Sequence, residues 1–299
     1  MGASCFSVAS LCATLLRRAA TAAGLTSQTV DIDGDTTIHF WGPPAATSKP
    51  KLVLIHGFGP PSLWQWRQQA AFFAGEYDVY MPDLVFFGES FSKSPDRSEV
   101  FQAACMARLL ENLGVTRYSV VGTSYGGFVA YRLASMWPER VEKVVIASSA
   151  VNMRRSDNVR LMQKADVDKI EDLLLPVNAS QMWSSFRFVV SRRVYMPNFV
   201  LNDFINKLYS ENRKEKLELL KELTIGKDET VNLSPLSQEV LIVWGENDQI
   251  FPLEKTEELK KLLGEKARLQ VIKKGSHVPQ LEHASQFNKI LNNFLHELS

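Results

Sequence analysis

Six short apolar runs, most of them followed by a stretch with helical periodicity, constrain this chain more than any other feature. KLVLI at 51–55, YDVYM at 77–81, YSVVG at 118–122, EKVVIAS at 142–148, EVLIVWG at 239–245 and ARLQVIKK at 267–274 read as strands. The first four are nearly continuous apolar runs. A strand that is apolar on both faces must be covered on both faces, which is the situation of a parallel sheet with helices above and below. Helical spacing fills the gaps, as at 98–113, where Val100, Ala104, Ala107 and Leu110 recur on one side. QTVDID and TTIHFWG predict an opening hairpin that turns at Asp33-Gly34-Asp35. The expected class is α/β, with a mostly parallel central sheet flanked by helices.

The alternation fails once. From 151 to 235 strand signals vanish and the chain becomes helix-like and charged, after which the strand pattern returns and residues 284–298 close as an amphipathic helix carrying Phe287, Ile290, Leu291, Phe294 and Leu298. The expected organisation is an N-terminal segment (1–27), an α/β core in two parts (28–150 and 236–299) and a helical cap (151–235) inserted between them. Composition agrees with one globular unit: 299 residues, 45% hydrophobic and 22% charged, exclude disorder and collagen-like repeats. With 34 basic against 33 acidic residues there is no general footprint for nucleic acid. Cys5, Cys12 and Cys105 form neither a disulfide framework nor a metal spacing, so a reducing compartment and no metal are expected.

The N-terminus is the compositional oddity. No acidic residue precedes Asp31, and the run CFSVASLCATLL ends in Arg17 and Arg18. A secretory signal places its charge before the apolar stretch, and a membrane span needs about 20 apolar residues, so neither fits. Gly2 lacks the Ser or Thr four residues on that myristoylation asks for, because Phe6 stands there. A transit peptide, a helix resting on the protein or weakly on a membrane surface, and a plain structural helix stay open. The expected location is cytoplasmic, with organelle targeting or membrane association through residues 1–27 as alternatives. Nothing in the sequence sets the oligomeric state.

Gly122-Thr123-Ser124-Tyr125-Gly126-Gly127 follows the strand YSVV and precedes the helical FVAYRLASMW. It is the G-x-S-x-G pentapeptide in a strand-turn-helix setting, where the serine sits on a tight turn and side chains at Gly122 or Gly126 would collide with neighbouring elements. Ser124 is the expected nucleophile. A serine hydroxyl needs a base and a group that orients the base. The strand VLIVWG leads to Asp248 and the strand RLQVIKK leads to His277, each at the strand end where ligands bind in open α/β sheets. The order Ser124, Asp248, His277 suits this class of nucleophile.

Rivals exist for each role. Glu246 is the alternative acid. His56 is expected to brace the loop that follows its strand, Asp83 to fix a loop, and His39, His283 and His296 to be ordinary packed or solvated histidines. His56-Gly57-Phe58-Gly59 supplies a glycine turn ahead of Ser124, so the backbone amides of Phe58 and Tyr125 are the expected oxyanion donors.

HGFG, PDLVFFGES, GTSYGG, WPERV, VWGENDQIFP and GSHVPQLEHA occur together in an order that resembles the α/β-hydrolase fold superfamily over residues 28–299. HGFGP and SHVPQLEHASQFN are similar to the meta-cleavage-product hydrolases, which cut a carbon–carbon bond in a dienol-diketone, and the chain with DLVFFGES resembles plant members of that neighbourhood. Those hydrolases usually have Asn before the nucleophile and Trp after the catalytic His, where this chain has Thr123 and Val278. They hold the substrate carboxylate with a cap Arg, for which Arg187, Arg192 and Arg193 are the candidates. The resemblance excludes the Asp-nucleophile chemistry of epoxide hydrolases and dehalogenases, because Ser124 stands at the elbow.

The resulting expectation is a serine hydrolase of carboxylic esters of small, largely apolar substrates, working through an acyl-enzyme without metal or organic cofactor. Carbon–carbon hydrolysis and a hydrolase-like small-molecule receptor are the alternatives. Thr123, Met182, Trp183, Phe186 and Val278 are expected to line the pocket, with Phe188, Met196 and Phe199 as further apolar candidates from the cap.

Overall fold

The computed structural model describes residues 7–192 and 195–297. Cys5, Gly2, Phe6, Arg193 and Leu298 lie outside them. The chain opens with helix α1 (Val8–Ala22) and the hairpin β1 (Thr26–Asp31) and β2 (Thr36–Gly42), so β1 starts two residues before the sequence boundary at 28. There follow β3 (Lys51–Ile55), α2 (Ser62–Phe73), β4 (Asp78–Pro82), the two-residue β5 (Phe91–Ser92), α3 (Glu99–Asn112), β6 (Tyr118–Thr123), α4 (Tyr125–Met136) and β7 (Val141–Ala147). Residues 151–235 hold only helices: α5 (Arg155–Ala165), α6 (Ile170–Leu174), α7 (Ala179–Val189), α8 (Asn198–Leu208) and α9 (Arg213–Lys221). The core resumes with β8 (Glu239–Gly245), α10 (Lys255–Leu263), β9 (Ala267–Ile272), α11 (Pro279–Glu282) and α12 (Ala284–His296).

The strands form one sheet in the order β1-β2-β4-β3-β6-β7-β8-β9, with β5 paired to β2. β1, β2 and β5 are antiparallel, and every pairing among β3, β4, β6, β7, β8 and β9 is parallel. Alternate residues of these strands feed two cores. Val53, Val120, Val144 and Ile242 face α3, α4 and α10, whereas Leu52, Val121, Val145 and Val243 face α2 and α12. This is why their apolar runs are continuous rather than alternating. From β3 the chain crosses to β4 on one side, and from β6 to β7 on the other. The crevice between β3 and β6 is therefore the switch point of the sheet, where open α/β folds bind their ligands.

The N-terminal helix rests on the protein. α1 packs along α2 and reaches cap helix α8, where Asp203 accepts bonds from Ser7 Oγ at 3.0 Å and the Ala9 amide at 2.8 Å. No described helix is long and apolar enough to cross a membrane. The cap is tied to the core by ion pairs, among them Lys255–Asp157 at 2.6 Å and Arg97–Glu218 at 2.9 Å.

Candidate active site

β6 ends in the strained turn that its glycines permit. Ser124 has φ +52° and ψ −124°, outside the regions an L-residue favours. A Cβ on Gly122 would lie 2.1 Å from the Gly126 carbonyl oxygen, and one on Gly126 would lie 2.4 Å from that of Ile55. The expected collisions are thus with backbone, which cannot yield. The turn is held by the Ser124 amide donating to Ala147 O at 3.0 Å and by Ser149 Oγ donating to Ser124 O at 2.6 Å. Ser149 gave no signal in the sequence; it is legible only once β6 and β7 are paired.

β8 and β9 pair directly, Gly245 opposite Ile272, so the loops that leave them are neighbours. They bring Asp248 and His277 to Ser124. His277 Nε2 is 2.9 Å from Ser124 Oγ, and its Nδ1 is 2.9 Å and 3.1 Å from the two Asp248 oxygens. Asp248 Oδ1 also accepts the amides of Ile250 and Phe251, at 2.9 Å and 3.0 Å. A buried carboxylate fixed by three N–H groups keeps the proton of His277 on Nδ1 and leaves the Nε2 lone pair facing the serine hydroxyl. Phe251 packs edge-on against the imidazole, ring centres 5.5 Å apart. The rival acid Glu246 instead accepts the Lys274 amide at 2.9 Å and does not reach His277. Glu282 accepts a hydrogen bond from Ser276, beside His277, and another from the Ser191 amide of the cap at 3.0 Å, so it joins the His277 loop to the cap.

The loop after β3 lies against the elbow, since a Cβ on Gly57 would be 2.9 Å from Ser124 Cβ. Gln65 of α2 fixes it by accepting the Gly57 amide at 2.9 Å and donating to the Gly57 carbonyl at 3.0 Å. His56 accepts the Leu84 amide on Nε2 at 2.9 Å and sits 2.8 Å from Gly57 O through Nδ1, which makes it a brace. Burial, with Lys216 nearby, lowers its pKa and keeps it neutral. The amides of Phe58 and Tyr125, at the loop and at the first residue of α4, donate to no acceptor among the described residues. Two free donors on the two segments that flank Ser124 are what an oxyanion needs.

Above them core and cap enclose a cavity of about 350 Å³. Thr123, Met182, Phe186, Val278 and Met196 line it. Trp183 does not, contrary to expectation. α7 presents Met182, Ser185, Phe186 and Val189 inward, the i, i+3, i+4, i+7 face, so Trp183 and Arg187 point elsewhere. The Trp183 indole donates to Asn198 at 3.2 Å. Phe188 packs with Leu161, Leu173 and Ile250, and Phe199 is 71% exposed. Neither Arg187 nor Arg192 lines the cavity, so no described cap arginine stands ready for a carboxylate there. Residues not foreseen include Trp64 and Arg67 of α2, Phe204 and Tyr209 from the cap, and Leu281. They were hidden because a helix placed by tertiary packing shows which face it buries, but not against what.

Comparison with known proteins agrees with this architecture. A family model described as alpha/beta hydrolase fold matches residues 50–284. A 2-hydroxy-6-oxononadienedioate/2-hydroxy-6-oxononatrienedioate hydrolase of a Pseudomonas species is 28% identical over 261 residues, 82% of this chain and 87% of that protein. The solved structure of a putative lipase from Acinetobacter baumannii superposes with a TM-score of 0.81 at 23% identity, covering 98% of both chains. That of a 2-hydroxy-6-oxo-6-phenylhexa-2,4-dienoate hydrolase from a Rhodococcus species gives 0.74 at 22% identity, covering 91% of this chain and 99% of the other. Sheet order, elbow and matched family model lead to one conclusion: the chain belongs to the alpha/beta hydrolase fold family.

Proposed function

We propose that this hydrolase works through Ser124, His277 and Asp248, on an acyl compound small enough for the cavity between core and cap. The observation that carries the reading is the unbroken hydrogen-bonded chain from Ser124 through His277 to Asp248 on a strained turn, next to two unpaired amides. His277 takes the Ser124 proton as the oxygen attacks the substrate carbonyl, and Asp248 stabilises the imidazolium. The Phe58 and Tyr125 amides hold the oxyanion, and His277 then protonates the leaving group. Water, activated by the same histidine, releases the acyl group. No step calls on a metal or organic cofactor.

The relatives favour a carbon–carbon bond as the one broken, since the Pseudomonas protein, which matches most of this chain, carries the name of such a hydrolase. Carbon is a poor leaving group unless it departs as a conjugated enolate, so that substrate must be a dienol-ketone or its like. Ester hydrolysis is the second reading. It is favoured by Val278 beside His277 and by the apolar lining, which offers few groups to hold an enol.

The test is turnover of short-chain chromogenic esters and of a 2-hydroxy-6-oxo dienoate by the wild type and by Ser124→Ala. Loss of roughly 10⁴-fold or more with unchanged circular dichroism is expected for whichever substrate is used. Activity that survives Ser124→Ala would remove the serine from the chemistry. The ratio of kcat/KM for dienoate over ester decides which bond is the natural one.

A further inference from the structure

One residue in the cavity has no part in the chemistry so far. Among the described lining residues Arg67 is the single Lys, Arg, Asp or Glu. It sits on α2, half-buried, and among the described residues Nη1 donates to the Trp64 carbonyl of its own helix at 2.5 Å. No carboxylate of the described residues pairs with it, and burial pushes its pKa below the ordinary arginine value. A guanidinium has five N–H donors and cannot shed its charge, so with one bond to a carbonyl among the described residues most of its fork is left for an anion. Helical side chains lean toward the N-terminus, which directs Arg67 back along α2 toward Trp64 and Gln65. Gln65 is the residue that clamps Gly57 beside Ser124, so this end of α2 abuts the elbow. Trp64 in turn packs edge-on against Phe204 of α8, ring centres 5.7 Å apart, and both line the same cavity as the arginine, one from the core and one from the cap.

Resting on the reading of this cavity as the substrate site, we propose that Arg67 reads a carboxylate on the substrate, set apart from the scissile carbonyl, and so selects anionic over neutral acyl compounds. A planar carboxylate matches the guanidinium fork in two parallel bonds, and such charge-assisted pairs gain strength in an apolar cavity. Core helix α2 thereby takes the anion-holding position for which the sequence offered only cap arginines.

The experiment compares monoaryl esters of glutaric and adipic acid with the matching aryl esters of the ω-carboxamides, and the 2-hydroxy-6-oxo dienoate with its carboxamide. The readout is the anionic-to-neutral ratio of kcat/KM, in which a general loss of activity or folded protein cancels. The wild type should favour the anionic member by about 10- to 100-fold, mostly through KM. Arg67→Gln and Arg67→Met should bring the ratio near one, and Arg67→Lys should recover part of it. A ratio that stays the same in Arg67→Gln, or a wild type without anionic preference, overturns the proposal. Hydrolysis that still depends on Ser124 in that case leaves the assigned function standing, and hydrolysis indifferent to Ser124 would strike the function itself.

Discussion

Two Ser–His–Asp chains run through this molecule with nearly the same bond lengths. In the first, Ser124 Oγ is 2.9 Å from His277 Nε2, and His277 Nδ1 is 2.9 Å from Asp248. In the second, Ser27 Oγ is 2.8 Å from His39 Nε2, and His39 Nδ1 is 2.8 Å from Asp83. The acids are even pinned alike: Asp248 by two amides, Asp83 by the amide and hydroxyl of Ser62 at 2.8 Å and 2.6 Å. What differs is the setting of the serine. Ser27 lies in regular antiparallel pairing opposite Trp41, exposed at the edge of the sheet, and no described cavity includes it. Ser124 lies at positive φ, beside two amides unpaired among the described residues, under a largely apolar cavity. The relay geometry alone therefore identifies nothing. On the proposed reading, backbone strain, oxyanion donors and a place for substrate separate a reactive serine from a hydrogen-bonded one.

Exchanging the acid in each chain gives the largest contrast. Asp248→Asn turns the His277 tautomer the wrong way and should lower kcat by about 10⁴-fold with little change in fold. Asp83→Asn should do the reverse. His39 and Asp83 are buried, and they bind β2 to the segment after β4 and to the start of α2. Breaking such a pair costs about 3 kcal/mol of stability, while kcat per folded molecule stays within tenfold. Chemical unfolding and active-site titration of both variants measure the two effects separately. A collapse of kcat in folded Asp83→Asn would show that the second chain serves the reaction.

A pH dependence follows for the structural chain. Burial alone would raise the Asp83 pKa, but the hydrogen bonds from His39 and Ser62 outweigh it and hold it below 3.8. The unfolded chain then takes up the proton more readily than the folded one. The stabilisation is fully present above the ordinary carboxylate value and is lost as pH falls through the lower folded value. Wild-type stability should fall on acidification below about pH 4, and Asp83→Asn should show a shallower fall. Equal acid slopes in the two proteins would mean that Asp83 titrates normally.

The sequence made one chain legible and left the other dark for a physical reason. Ser124 sits in a local motif, G-x-S-x-G, whose first glycine is required by the Gly126 carbonyl four residues on and whose second by the end of β3, and Asp248 and His277 follow strands whose apolar runs place them. Choosing Asp248 over Glu246 needed only the register of the loop after β8. Ser27, His39 and Asp83 have no local signature, since their meeting depends on β1 and β2 pairing and on β4 lying next to β2. Asp83 was still readable as a loop-fixing residue, because an acid at a strand end ahead of Ser124 has no place in the catalytic order. The cap was readable as helices but not as a wall. Trp183 and Phe186 are three residues apart and look alike in sequence, yet the pitch of α7 sends one to the cavity and the other to Asn198. Arg67 was invisible for the same reason: which face of α2 meets the cavity is decided by the loop that Gln65 clamps.

The smallest expected effect is the sharpest check on the comparison. Ser27→Ala removes the hydroxyl hydrogen-bonded to His39 Nε2 and nothing else from the second chain. Because Ser27 is exposed, water can take its place on that nitrogen, and the loss should stay below about 1 kcal/mol, with kcat and KM unaltered. The same deletion in the first chain is expected to end turnover. An alkyl fluorophosphonate, which reports serine nucleophilicity directly, should accordingly modify wild type and Ser27→Ala at one site with equal rates, and leave Ser124→Ala unlabelled. Labelling of Ser27 in Ser124→Ala would mean that a strand serine with a His–Asp pair behind it is activated without strain or oxyanion donors, and the distinction between the two chains would fall.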